Sequence, residues 1–486
     1  MASPSVNVSL VKLNHLFNLI PLNNLGIRWC LFIKAGFIII PHEIYSFHPR
    51  GILINKILES RFLAALQYRD YRVLWTGNMS ASAAAWALIV ARGWIVWEMS
   101  GSSLYVGLVT FLAMIPRVVI PPFTGYLADK YERRKVMASI YALNLTHTLF
   151  LAGLMAFNQM EMWHLMILAF VNGAARSAQM PVGQALVPNL VPKEKLLNAI
   201  ALNQATMHGS RLLGPLTILP LLASTRIEWA FLTCSLFYII SLVQALRIKT
   251  TSSGSMDSKK GFFSNFTQGI PYVYKHPLLK LIVMMAFFHC GFTMSFEAVL
   301  PVLSVERFNA TSGGDFSLMM MSIGGGALIS LIWLSGVTNE TTKGKLFLNL
   351  GVISGLAPIL LAFSPNIYFA VGSAALMGAS QAGYMTLTHT MIQLATDDSV
   401  RGRVGAVYSV HIGGIMATMN LANGAMSDLP FLRLDLIAGS RVLLPADTML
   451  TIGGILFIAC VFISWFIISL RKIYRTGIPH TVVSQT

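Results

Sequence analysis

The sequence predicts an all-α integral membrane protein of twelve transmembrane helices in two six-helix, pseudo-symmetric halves. Three observations carry that expectation. Hydrophobic residues make up 55% of the chain and charged residues 11%, against about 25% charged in a soluble domain. Apolar runs of about 20 residues, the length that crosses a bilayer as helix, recur along the chain. One long polar stretch divides those runs six and six.

The spans are read, in order, at 74–98, 103–125, 136–157, 163–185, 198–222, 229–246, 279–301, 316–336, 346–364, 367–391, 404–426 and 449–470. Several contain Gly and Pro, which membrane helices tolerate because neighbours re-satisfy the freed backbone groups. Small residues at Ala81–Ala85 and Gly324–Gly326 allow close helix approach. The six spans of 61–246 form one half and those of 279–475 the other, with 476–486 a tail. Between the halves, 247–278 begins as a Ser-, Gly- and Lys-rich flexible linker, and "FFSNFTQGIPYVYKHPLLK" within it suits the membrane surface. A faint repeat relates the halves: "LVPKEKLLNAIALN" from Leu190 and "LATDDSVRGRVGAV" from Leu394 are charged connectors leading into small-residue helices. Residues 1–60 stand apart, rich in Ile and poor in Ala. Their apolar run 29–41 is short and holds Lys34, which reads as an interfacial or non-native extension.

The net charge of +16 is a matter of placement. Lys and Arg crowd one set of loops, whereas the other set holds Arg226, Arg307, Arg433 and Arg441. That asymmetry puts both ends of the twelve-span unit in the cytoplasm and directs the cations to lipid headgroups, not nucleic acid. Cys30, Cys234, Cys290 and Cys460 sit singly, so neither a disulfide framework nor a metal site is expected. No phosphate-binding Gly-rich loop, His-Glu-x-x-His or Gly-x-Ser-x-Gly occurs, and the loops are too short to house a catalytic domain. No enzyme activity and no cofactor are expected.

Charges inside the spans are informative because each costs about 2.5–3.5 kcal/mol at a helix centre unless it meets water or a partner. Arg92, Arg117, Arg176 and Arg211 fall in spans 1, 2, 4 and 5. Facing a wet cavity, Arg117, Arg176 and Arg211 would favour an acidic substrate. The alternatives are that Arg92 snorkels or pairs with Glu98, and that Arg211 braces the bend at Pro215. Glu297 is the acidic residue placed within an apolar span, either a proton-coupling carboxylate or a vestibule group paired with Arg307. His289, His389 and His411, in spans 7, 10 and 11, are further proton-coupling candidates, and His147 in span 3 ranks below them. Trp86 and Tyr384 are candidates for the cavity wall, while Trp94 and Trp97 also suit an interfacial belt.

Between spans 2 and 3 lies "GYLADKYERRKV", Gly125 to Val136. A positive-inside anchor explains its cations but not a carboxylate four residues after a Gly. Gly125, Asp129, Lys130, Arg133 and Arg134 resemble the loop signature of the major facilitator superfamily. Glu132 stands where that signature has its second Gly, as in the branch that includes the enterobactin exporter and related efflux permeases. "RDYRVLWTGN" (69–78), "ARGWIVWEMSGSSLYVGLV" (91–109), "ALVPNLVPKEKLLNAIALN" (185–203) and "RGRVGAVYSV" (401–410) are similar to the same branch. The resemblance implies that Asp129 belongs to a cytoplasmic gate, with Arg401 or Arg403 beside span 11 as its cationic counterpart. The second-half counterpart, "SGVTNETTKGK" (335–345), keeps Gly336 with Glu340 and Lys343 in looser order. Gly214 and Pro215 resemble the core of the antiporter motif in span 5 and also read as a helix kink. The expected function is secondary active transport by a monomer in the bacterial plasma membrane: proton-coupled efflux of a small amphipathic or acidic molecule, such as a siderophore or drug. An uptake permease or lipid transporter, and a non-transporting membrane scaffold or sensor, are the alternatives.

Overall fold

Each apolar run read from residue 61 onward contains helix. The computed structural model describes residues 63–120, 130–224, 227–252, 262–397, 400–437 and 441–477. Gly125 and Asp129 of the loop signature, and the extension 1–60, lie outside the described residues. Spans 1 to 6 are Arg69–Ser100, Ser103–Ile120, Arg133–Ala156, Met162–Leu186, Lys193–Ala223 and Ile227–Arg247. Span 7 is Pro277–Phe292 continued by Leu300–Phe308, and spans 8 to 12 are Gly314–Ser335, Glu340–Ala362, Ile367–Leu394, Arg401–Ser427 and Pro445–Phe466.

Local chemistry sets the helix ends. Gly101 closes span 1 with φ +59°, a left-handed conformation that glycine adopts without Cβ strain. Asn339 and Asn366 open spans 9 and 10 by accepting from the backbone N–H of Thr342 (3.2 Å) and Phe369 (3.0 Å). Eight spans are long and apolar enough by composition alone to cross a membrane; spans 4, 5, 7 and 10 are the remainder. Those four carry polar side chains at mid-helix or, in span 7, are interrupted.

That interruption corrects the continuous helix expected at 279–301. Residues 293–299 leave helical conformation, and their freed backbone groups are met by side chains. Gln381 donates to the Thr293 carbonyl and Asn423 to that of Ser295, both at 2.6 Å. The N–H of Ala298 donates to Asn420 Oδ1 (3.2 Å). A broken helix is stable at membrane depth only with such partners.

Within each half, spans 3 and 6 or spans 9 and 12 flank the others; across the halves, span 2 packs on span 11 and span 5 on span 8. The end carrying the loop after span 2 is termed the basic face. Near the opposite face the two halves touch closely: a Cβ on Gly107 of span 2 would lie 2.8 Å from the Asn420 carbonyl and 3.1 Å from Gly424 of span 11. Toward the basic face a Cβ on Gly209 of span 5 or Gly405 of span 11 meets nothing within 4 Å. The linker is not flexible throughout, since Phe262–Lys275 is helical and its Gly269 packs on the Arg403 carbonyl. A second surface helix, Ile468–Thr476, follows span 12. One departure from an all-helical chain is a small hairpin at the opposite face, β1 (Leu434–Ile437) paired antiparallel with β2 (Arg441–Leu443).

Candidate functional site

Small residues bring the arginine-bearing helices together. A Cβ on Gly214 would meet the Ala83 carbonyl at 2.6 Å and Trp86 Cβ at 2.8 Å, so span 5 lies hard against span 1. One turn earlier on span 5, Arg211 stacks over the Trp86 ring at 4.9 Å. A Cβ on Gly173 of span 4 would collide with the Ala113 carbonyl of span 2. One turn beyond that contact stand Arg176 and Arg117, and Arg176 covers the Trp86 ring at 5.2 Å. Trp86 thus carries two guanidiniums, an arrangement that cation–π attraction holds together against their mutual repulsion. Arg211 also reaches the Phe296 ring of the second half at 5.6 Å.

Glu297 faces this group from the break in span 7, next to Phe296. Its charge acts on each of Arg92, Arg117, Arg176 and Arg211. No ion pair within 4.0 Å joins Glu297 to any of them. Glu297, Arg92 and Arg211 are 7%, 5% and 8% exposed, with Arg117 and Arg176 half-buried. Arg92 Nη1 and Arg211 Nε are buried without a hydrogen-bond acceptor. The site therefore presents four cations, one opposing carboxylate and N–H donors that an anion can satisfy.

Two sequence alternatives are corrected here. Arg92 neither snorkels nor pairs with Glu98; it is buried and faces Glu297. Arg307 pairs with Asp447 at 3.3 Å and donates to the Val442 carbonyl, so it ties the hairpin to span 12 and leaves Glu297 alone. Tyr384 is not at the cavity wall. It is 1% exposed in the core of the second half, stacked on Phe347 (4.6 Å) and edge-on to Phe457 (5.6 Å). His289 lies in the same core, hydrogen-bonded to Ser354 Oγ at 2.8 Å. His389 is exposed beside Tyr408, apart from the arginines, and His411 Nε2 meets the Tyr274 hydroxyl of the linker helix at 2.8 Å. Pro215 sits within an unbroken helical segment, and its carbonyl accepts from Ser317 of span 8 (2.9 Å).

The described part of the loop signature serves the first half. Arg133 donates to the Ala185 carbonyl (2.9 Å) and Ser252 Oγ (3.1 Å), and Arg134 to the Ile248 carbonyl (2.8 Å). Glu132 pairs with Arg134 and with Lys135. Desolvation pushes its carboxyl up, but those two cations outweigh it and hold the group below the ordinary carboxylate value. Lys130 lies over the Tyr131 ring at 5.5 Å. The Arg401 side chain lies outside the described residues, whereas Arg403 receives the linker helix on its backbone. Gln381, Asn420 and Asn423, which hold the span 7 break, escaped the sequence reading; their signal was an amide in an otherwise apolar helix. No group of three or more His, Cys, Asp or Glu among the described residues is placed to hold a metal ion.

Comparison with known proteins places this architecture. The family described as transmembrane secretion effector matches residues 60–456. The chain is 21% identical over 344 residues to macrolide efflux protein A of Streptococcus pyogenes, covering 69% of this chain and 83% of that protein. It is 22% identical over 333 residues to the staphyloferrin A transporter of Staphylococcus aureus, covering 68% and 83%. Among solved structures it is similar to the nucleoside transporter NupG, with a TM-score of 0.64 at 11% identity over 81% of this chain and 98% of that one. At that identity the likeness shows the fold alone. The chain belongs to the transmembrane secretion effector family: it is an integral membrane transporter of small molecules with the major facilitator fold, not an enzyme.

Proposed function

We propose that the chain exports a small acidic, amphipathic molecule from bacterial cells by alternating access, as a monomer, with its basic face in the cytoplasm. The observation that carries this reading is the cluster of four guanidiniums from spans 1, 2, 4 and 5, opposed by the carboxylate of Glu297. An anion there satisfies the buried N–H groups of Arg92 and Arg211, and Trp86 and Phe296 accept its apolar part. The efflux direction is supported by the likeness to macrolide efflux protein A. Asp129, by the family resemblance, gates the basic face with Arg401 or Arg403. The first half spans 61–246 and the second 279–475.

Charge sets the sign of proton linkage. A proton on Glu297 leaves the guanidiniums uncompensated and strengthens anion binding, and binding linkage is reciprocal. Proton and acid therefore move together. A substrate with two or more negative charges then leaves net charge to be expelled by the inside-negative potential, worth about 2.3 kcal/mol per charge per 100 mV. The same sign supports a second reading, proton-linked uptake of a monovalent acid. Inverted membrane vesicles given a lumen-positive potassium diffusion potential separate the two. Export predicts accumulation of carboxyfluorescein in the lumen, lost when the potential is collapsed. Uptake predicts no dye accumulation there, and accumulation of a monovalent acid such as benzoate in right-side-out vesicles under an inward proton gradient. Transport of ethidium with none of either acid, in either orientation, sinks both.

A further inference from the structure

Spans 2 and 11 run antiparallel, and the end of span 11 meets the beginning of span 2 at the opposite face. Asp428, the residue after span 11, accepts from the backbone N–H of Ser103 (2.7 Å) and Leu104 (3.0 Å) and from the Ser102 hydroxyl. The first N–H groups of a helix have no partner within it and sit at the positive end of its dipole. A carboxylate of the second half thus caps a helix of the first, in a charge-assisted arrangement available only while this face is shut.

The same stretch of span 11 also holds the segment that bears Glu297. Asn420 is fully buried. Its backbone carbonyl lies against Gly107 of span 2, its Nδ2 approaches Met114 Sδ (3.7 Å), and its Oδ1 accepts from the N–H of Ala298. Asn423 donates to the Ser295 carbonyl. Ser295 and Ala298 bracket Glu297 in the break of span 7. One helix end is therefore in contact with the first half on one side and with the coupling segment on the other.

We infer that Asn420–Asp428 is a latch that couples closure of this face to the placement of Glu297. Asp428 holds the face shut, and Asn420 and Asn423 are positioning residues for the carboxylate. The inference rests on the transport reading only for what Glu297 does; the latch itself does not depend on it.

The test uses no substrate. Spin labels replace Phe157 and Tyr368, which are 78% and 85% exposed at this face, one in each half. Distances between them are measured by double electron–electron resonance in lipid nanodiscs, on a chain otherwise free of cysteine. Asp428→Ala is expected to raise the population with this face open about tenfold, the size expected for losing hydrogen bonds to a charged group. Glu297→Gln raises it as well, and the two effects are non-additive. Their coupling disappears in an Asn420→Ala background. An unchanged distance distribution in Asp428→Ala overturns the latch. Additive effects with Asn420 intact overturn its link to Glu297. Should Asp428→Ala fail to fold, Asp428→Asn keeps an oxygen acceptor without the charge and must give a smaller shift in the same direction; no shift overturns the latch. Failure of vesicle transport alone would leave these distances unaffected, which separates this inference from the proposed function.

Discussion

The two halves share one helical plan and fill it differently. In the first half, hydrogen bonds join helix to helix: the Tyr141 hydroxyl donates to Asn78 (2.6 Å), Asn172 to Asn144 (2.8 Å) and Ser235 to Thr148 (3.0 Å). The arginines stand at the inner edge of that polar interior. In the second half the interior is aromatic, with Tyr384, Phe347, Phe457 and His289 packed together and His289 answered by Ser354. Its charge toward the arginines is Glu297, presented by a broken helix. On the proposed function, ligand chemistry and counter-charge are divided between bodies that move relative to each other, and a substrate anion and Glu297 compete for one set of cations.

The largest test of that division removes the counter-charge. Glu297→Gln imitates the protonated carboxyl permanently. Binding of an acidic probe such as carboxyfluorescein should tighten about 100-fold or more, since a unit charge about 6 Å away exerts about 2.8 kcal/mol at an effective dielectric near 20. Transport should lose its dependence on pH, and a variant that keeps the wild-type pH profile shows that Glu297 is not the linked group.

Next comes the cationic side. Arg211→Ala removes a guanidinium that touches both Trp86 and Phe296. The concentration of carboxyfluorescein for half-maximal transport should rise about 10- to 100-fold, in line with about 1.5–3 kcal/mol for a charged hydrogen bond. Arg211→Lys keeps the charge without the planar stack and should fall between. Equal values for the alanine and lysine variants would mean that charge plays no part.

A control from the other half sharpens the contrast. His289→Phe preserves ring packing against Tyr384 and Phe457 but leaves the buried Ser354 hydroxyl with only its long contact to Thr293 Oγ1, at 3.4 Å. Thermal unfolding should show a loss of about 1–3 kcal/mol, the penalty for an unsatisfied buried polar group. The pH profile of transport should not move. A shifted profile would bring His289 into the proton path and blur the distinction between the halves.

Much of the fold was legible because membrane crossing leaves a coarse mark: length and apolarity reveal a span without any knowledge of its neighbours. The arginines were legible for the converse reason, since a charge in an apolar run is conspicuous wherever it points. Direction was not legible. Tyr384 and Trp86 are both aromatics in apolar helices, yet the first points into a core and the second to the arginines, and only packing decides that. The break in span 7 left little trace, because its backbone is held by Gln381, Asn420 and Asn423 from distant helices. The place of Arg92 was left open for a similar reason: the carboxylate whose charge acts on it, Glu297, is across the halves, in a segment whose position depends on that break.

Trp86 supplies the smallest and most discriminating test, because its ring belongs to the first half but serves the meeting point of both. Trp86→Phe keeps an aromatic face of smaller area and weaker quadrupole under Arg176 and Arg211. Cation–π attraction of about 2 kcal/mol at a desolvated site, about half of it lost with the smaller ring, corresponds to about a fivefold loss in affinity for an acidic probe, without a change in pH dependence. Trp86→Leu removes the face and should lose more, because the two guanidiniums then repel each other with no ring between them. A Phe variant as impaired as the Leu variant would mean that Trp86 acts by bulk alone. The ordering of tryptophan, phenylalanine and leucine thus tests whether the first half holds its cations by π attraction or merely by packing.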